Sequence, residues 1–140
     1  MTVAVDDRAR EIVDEFALFP DWMSRYEYLI EMGDDIPPID DEDKTDAHRI
    51  HGCQSKVWIR ADYDEDRGVL MFRGDSNAKI TRGLAALIIR VLNEQPPAVV
   101  QKADFDFLDE IGMREHLSSQ RSNGLAAMIE QMKDRASQYA

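Results

Sequence analysis

The apolar stripe from Ile80 to Leu92 constrains the fold of this chain more than any other segment. Ile80, Leu84, Leu87, Ile88, Val91 and Leu92 recur at i, i+4, i+7, i+8, i+11 and i+12. That spacing puts them on one face of a long α-helix. An apolar stripe this long has to be covered, so other elements must pack on it. Pro96-Pro97 ends the helical pattern. Gly74-Asp75-Ser76-Asn77 precedes it and reads as its cap, with Asp75 as an N-cap candidate contributing about 1 kcal/mol.

The elements around this helix differ in period. A helical pattern near 6–17 places Ile12, Val13 and Phe16 on one face. A second helix is expected from Asp21, an N-cap candidate, with Trp22, Tyr26, Leu29 and Ile30 as its stripe and Gly33 as its C-cap. Residues 34–46 break the periodicity: Pro37-Pro38 and Asp40-Asp41-Glu42-Asp43 read as a solvated acidic loop. Residues 56–63 alternate as a strand, 64–68 turn, and Val69–Phe72 return as a hairpin. His48–His51 is expected to add a short third strand. Phe105, Leu108 and Ile111 mark a short helical stretch. A last helix runs from about Ser122, with Leu125, Met128, Ile129 and Met132 inward and Lys133 and Arg135 near its end to suit the helix dipole. Helices and strands segregated in this way predict an α+β fold, and 140 residues suit a single domain spanning 1–140.

The formal net charge is -11, from 28 acidic and 17 basic residues. Nucleic-acid binding needs a basic face, so that function is excluded, and anionic membrane surfaces are disfavoured. A basic protein partner is the natural complement to the whole chain. No stretch is long and apolar enough to span a bilayer, and the run Met1–Asp7 has neither a charged n-region nor an apolar h-region. With one cysteine, a reducing cytoplasm is the expected location.

That cysteine is Cys53, in His51-Gly52-Cys53-Gln54-Ser55-Lys56-Val57-Trp58. A lone thiol closes no internal disulfide and builds no thiolate cage. Gly52 leaves the backbone uncrowded, and Gln54 and Ser55 are not core residues, which favours a displayed thiol over a buried inert one. Arg49, His51 and Lys56 are nearby cations able to raise the thiolate fraction. In an extended segment His51 and Cys53 would project to one side, where His51 could serve as a base. His48, His51 and Cys53 match no familiar zinc spacing, and Gly74–Asn77 lacks the lysine of a phosphate loop. A thioredoxin motif needs a second cysteine. A Cys–His hydrolase would have only the distant His116 to call on. Arg121 lies near a helix start, where positive charge is unfavourable, so a specific partner is expected for it.

Four blocks resemble, in order, the SufE-type sulfur acceptor family, which includes the related CsdE. They are Arg25-Tyr26-x-Tyr28-Leu29-Ile30-x-x-Gly33, then Gly52-Cys53-Gln54-Ser55-x-Val57-Trp58, then Gly74-Asp75-Ser76-x-Ala78-x-Ile80-x-x-Gly83-Leu84, and finally Leu117-Ser118-x-x-Arg121-x-x-Gly124-Leu125-x-Ala127-Met128. The resemblance covers roughly residues 10–135. It departs at His51, Asn77 and Ser119. It implies a small curled three-stranded antiparallel sheet flanked by helices, as in IscU-type scaffolds. It implies that Cys53 takes sulfane sulfur as a persulfide from a SufS-type, pyridoxal-phosphate cysteine desulfurase, stimulates that enzyme, and delivers sulfur to a SufBCD-type scaffold for iron–sulfur cluster assembly. Such a protein has no cofactor or metal of its own, no independent turnover, and is a monomer or weak homodimer. Gly52, Gln54, Ser55, Asp75 and Arg121 carry over as supporting residues, with His51 as a further candidate. The alternatives are a free-standing cysteine-nucleophile transferase or hydrolase, and an interaction module in which Cys53 is incidental. A carrier would shield Cys53 at rest and move residues 51–55 on docking.

Overall fold

The structure, a computed structural model, describes residues 4–139; the N-terminal run read for a leader begins in residues 1–3, outside the described residues. Helix α1 (Val5–Ala17) buries Ile12 and Phe16. Helix α2 (Trp22–Asp34) starts where expected: the Asp21 carboxylate accepts the Ser24 N–H at 2.7 Å. A long connection with a single 3₁₀ turn at Asp41–Asp43 leads to a hairpin. Strands β1 (Val57–Asp64) and β2 (Val69–Ser76) pair antiparallel, from Val57 opposite Ser76 to Asp64 opposite Val69. Helices α3 (Lys79–Leu92), α4 (Pro97–Lys102), α5 (Phe107–Glu110), α6 (Met113–His116) and α7 (Ser119–Ser137) follow. The architecture is α+β, with helices and an antiparallel sheet.

The stripe read from the sequence becomes the centre of the core. Leu84, Leu87, Ile88, Val91 and Leu92 of α3 are buried, and α3 meets α1, α2, β2 and α7. One continuous core runs from Ile12 through α3 to Ala136 in α7. At the α2–α3 crossing two glycines face each other. A Cβ on Gly83 would stand 2.3 Å from the Leu29 carbonyl oxygen, and one on Gly33 would stand 2.9 Å from the Gly83 nitrogen. Gly33 therefore lies inside α2 as a packing residue, and it is not the helix C-cap the sequence suggested.

The sheet has two strands, not three. The segment expected as the third pairs with β1 through two bonds only: the Ile50 N–H donates to Val57 O at 2.9 Å and the Ile59 N–H donates to His48 O at 2.8 Å. Two features stop it there. Gly52 turns the chain away with φ +90°. At the other end the Arg135 guanidinium, reaching out of α7, donates to the carbonyls of Ile59 and His48. Arg135 is thus a half-buried clamp on the sheet edge, and its partial burial pulls its pKa down. Strand β2 also runs further than the expected Phe72, to Ser76. That displaces Asp75 from its expected cap: α3 starts from Ala78, without a side-chain cap. The acidic loop is fastened rather than merely solvated, because Asp43 pairs with Arg60 at 2.8 Å and Lys44 pairs with Asp41 at 3.0 Å and Asp75 at 2.8 Å.

Candidate functional site

Cys53 lies on the irregular segment 51–56, between the Ile50 pairing and the start of β1. Both ends of this segment are pinned, each by an amide side chain. At residue 51 the Gln131 side chain accepts the His51 N–H at 3.0 Å and donates to the His51 carbonyl at 2.6 Å. At residue 56 the Asn77 side chain accepts the Lys56 N–H at 3.0 Å, while the Ser76 hydroxyl donates to the Lys56 carbonyl at 2.8 Å. Between these pins, among the described residues, the backbone N–H groups of Cys53, Gln54 and Ser55 make no hydrogen bond. A short span whose backbone is bonded only at its ends belongs to the low-stability part of a fold, which opens locally.

The thiol itself is half-buried against α7. Its sulfur donates to the Gly124 carbonyl at 3.6 Å, and a Cβ on Gly124 would come to 3.4 Å from it. Helix α7 thus leaves a side-chain-free seat for the sulfur. Gly52 needs its glycine for a backbone reason: at φ +90° any Cβ is strained. Burial pushes the Cys53 pKa up, and Arg49 opposes that in part. The resting group is therefore a thiol rather than a poised thiolate, and a nucleophilic step first requires its proton to leave.

A cleft of about 520 Å³ opens beside the sulfur. Ile80, Leu84 and Met128 give it an apolar floor, and Ser55, Lys79 and Arg121 stand among its polar residues. Gln54 also lines it. Of the supporting residues expected from the sequence, the structure gathers Gln54, Ser55 and Arg121 around Cys53. Gly52 shapes the turn. Asp75 and His51 are not among the residues lining the cleft. Asp75 sits across from Trp58 in the hairpin register. Burial would raise its carboxyl, but the bonds from Lys44 and the Ser76 N–H outweigh that and hold it below the usual carboxylate range. Asp75 thereby ties the acidic loop to the sheet. His51 is exposed and lies in the turn, so the side-by-side projection expected of an extended segment does not apply. His116, the only distant imidazole, stacks on Trp22 at 3.7 Å between ring centroids. No three His, Cys, Asp or Glu side chains among the described residues gather as a metal cage would require, and no helix among them is long and apolar enough to cross a membrane.

Lys79 and Gln131 escaped the sequence reading. Gln131 had a visible cue. It falls seven residues after Gly124, hence on the same side of α7. Its partner, a backbone eighty residues away, had none.

An α+β chain that seats one thiol between a pinned loop and a glycine carbonyl is a single-cysteine group-transfer scaffold in outline, and its relatives give that outline a family. The model of the SufE family, described as an Fe-S metabolism associated domain, matches residues 10–136. An uncharacterised SufE-like protein of Rhizobium etli is 36% identical over 129 residues, covering 90% of this chain and 87% of that protein. Another from Rhizobium meliloti is 37% identical over 129 residues, covering 90% and 92%. SufE-like protein 1, chloroplastic/mitochondrial, of Arabidopsis thaliana is 35% identical over 92% of this chain but only 34% of its own length. A solution structure of a hypothetical protein from Thermus thermophilus superimposes with a TM-score of 0.77 over 94% of this chain and 95% of that one, at 20% identity, which speaks for the fold alone. The chain belongs to the SufE family, and its role lies in iron–sulfur metabolism as a sulfur-transfer accessory protein.

Proposed function

We propose that Cys53 accepts sulfane sulfur from the persulfide of a SufS-type cysteine desulfurase, stimulates that enzyme by clearing its product, and delivers the sulfur to a SufBCD-type scaffold. The observation that carries this reading is the seat of Cys53. The one thiol of the chain rests half-buried against Gly124, at the edge of an open cleft and on a short loop whose backbone is hydrogen-bonded at residues 51 and 56. In the transfer step the Cys53 thiolate attacks the outer sulfur of the donor persulfide. The donor S–S bond breaks, a new S–S bond forms on Cys53, and the donor cysteine leaves as a thiolate, with no net oxidation. A second thiol within reach would displace the bound sulfur and release sulfide; a single-cysteine chain avoids that loss. The half-buried seat also limits attack by small oxidants and thiols.

This role needs no cofactor or metal from the chain, since the pyridoxal phosphate belongs to the desulfurase. The competing cysteine hydrolase would need a base on the sulfur. Among the described residues the only hydrogen-bond partner of the Cys53 sulfur is the Gly124 carbonyl, which cannot take a proton.

The test is mass spectrometry after incubation with a cognate desulfurase and cysteine. Sulfur atoms should add to Cys53 and to no other residue, and Cys53→Ser should abolish both the adduct and the stimulation. A Cys53→Ser protein that stimulates the desulfurase as fully as wild type sinks the carrier reading.

A further inference from the structure

The acidity of the chain does not extend to its thiol. Among the described residues most arginines and lysines are anchored, as Arg60 is on Asp43, Arg82 on Asp34 and Arg90 on Glu15. The cations left without an ion pair or side-chain hydrogen bond among the described residues are Arg49, Lys56, Arg73, Lys79, Lys102 and Arg121. Lys79 and Arg121 line the cleft, and Lys56 ends the loop that carries the thiol. Arg49 acts on the Cys53 charge directly. Not one Asp or Glu lines the cleft, in a chain with 28 of them.

Unpaired cations around one concavity cost the free protein favourable charge pairing that an acidic chain could easily supply. They are explained if their counter-charges arrive from outside. We infer that the face around Cys53 is a basic docking patch for a partner whose own surface, around its donor sulfur, is acidic. This reverses the expectation from net charge, which favoured a basic partner. The cleft is concave and floored by Ile80, Leu84 and Met128, so it accepts a protruding segment that combines apolar and carboxylate side chains. The net negative charge of the rest of the chain then disfavours docking of the same partner on other faces, which favours one orientation. The inference rests on the sulfur-acceptor reading for the identity of the partner.

Binding of the chain to the SufS-type desulfurase of the same cell tests it, read by titration with a Tm measurement on each variant. Lys56→Glu and Lys79→Glu should each weaken binding by about tenfold. Lys79→Gln should fall between wild type and Lys79→Glu. Lys102→Glu, the same charge change on a free cation in α4, outside the cleft, should leave binding unchanged. Raising the salt should weaken the wild type and flatten these differences. The inference is overturned if Lys56→Glu and Lys79→Glu weaken binding no more than Lys102→Glu, or if the desulfurase does not bind at all. It is also overturned if inorganic phosphate alone protects Cys53 from alkylation, because the cations then serve a small-anion subsite. If the charge pattern holds but no sulfur reaches Cys53, the docking patch stands and the acceptor reading falls.

Discussion

The α2–α3 crossing and the Cys53 loop sit on opposite terms with their surroundings. At the crossing, two backbones touch through Gly33 and Gly83 with no room for a methyl group. In the loop, among the described residues, residues 53–55 make no backbone hydrogen bond, and the segment is held at residue 51 by Gln131 and at residue 56 by Ser76 and Asn77. The first region is specified by what cannot be added. The second is specified by a few bonds that can be let go. On the proposed sulfur-acceptor reading, the protein has use for both: a tightly packed floor, α3, and beside it a span bonded only at its ends. The two regions should therefore respond to substitution in different currencies, stability for the crossing and thiol accessibility for the loop.

The largest effect belongs to the crossing. Gly83→Ala places a Cβ against backbone atoms of Leu29, which cannot rotate away. Overpacking of this kind costs about 3 kcal/mol, well above the roughly 1 kcal/mol that alanine gains over glycine in a helix. Chemical denaturation should show the midpoint falling at constant slope. Cys53 alkylation in the remaining folded protein should keep its wild-type rate. A loss below about 1 kcal/mol would mean that the helices can slide apart, and that the floor is not rigid.

Next comes the latch. Gln131→Ala removes both bonds to the His51 backbone. Two neutral hydrogen bonds near the surface contribute about 1–2 kcal/mol together. Part of that loss should appear as local opening and not as global unfolding. The expected signature is faster amide exchange in residues 51–55 and faster alkylation of Cys53 by iodoacetamide, with little change in Tm. If Tm falls while the alkylation rate of the folded protein stays put, Gln131 is an ordinary structural residue and the loop is not latched by it.

Much of the rigid half could be read from the sequence, and little of the hinged half. The stripe Ile80–Leu92 announced α3 because the period of a buried helix is written in consecutive residues. Asp21 announced the start of α2 because an N-cap bonds three residues ahead. Non-local partners left no such trace. Gly33 read as a cap because a glycine near a helix end usually is one; only Gly83, fifty residues on, explains it. Asp75 read as a cap because it precedes α3, yet Lys44 from the acidic loop claims it. The third strand failed for the same kind of reason, since the Arg135 side chain that takes its place on the carbonyls comes from the last helix. Cys53 stood out as the candidate because it is the one cysteine of the chain. The cleft beside it is assembled from the loop, α3 and α7, and no local pattern could foretell it.

The smallest effect is electrostatic and tests how the seat controls the sulfur. Burial raises the Cys53 pKa, and the positive charge of Arg49 works against that rise. The folded thiol should therefore titrate above the ordinary cysteine range, and the pH profile of its alkylation should be displaced upward from that of the unfolded chain. Stability carries the matching sign. A thiol whose folded pKa is raised contributes stability that is fully present below the unfolded value, near 9.0, and is lost as pH climbs through the folded one. Arg49→Gln removes the opposing charge, so the midpoint should move further up and alkylation at neutral pH should slow. Gln131→Ala should move it the other way, because an opened loop returns the thiol to water. Opposite shifts from these two substitutions would separate charge from burial as controls on the sulfur. A downward shift in Arg49→Gln would mean that Arg49 helps to bury the thiol more than it stabilises the thiolate.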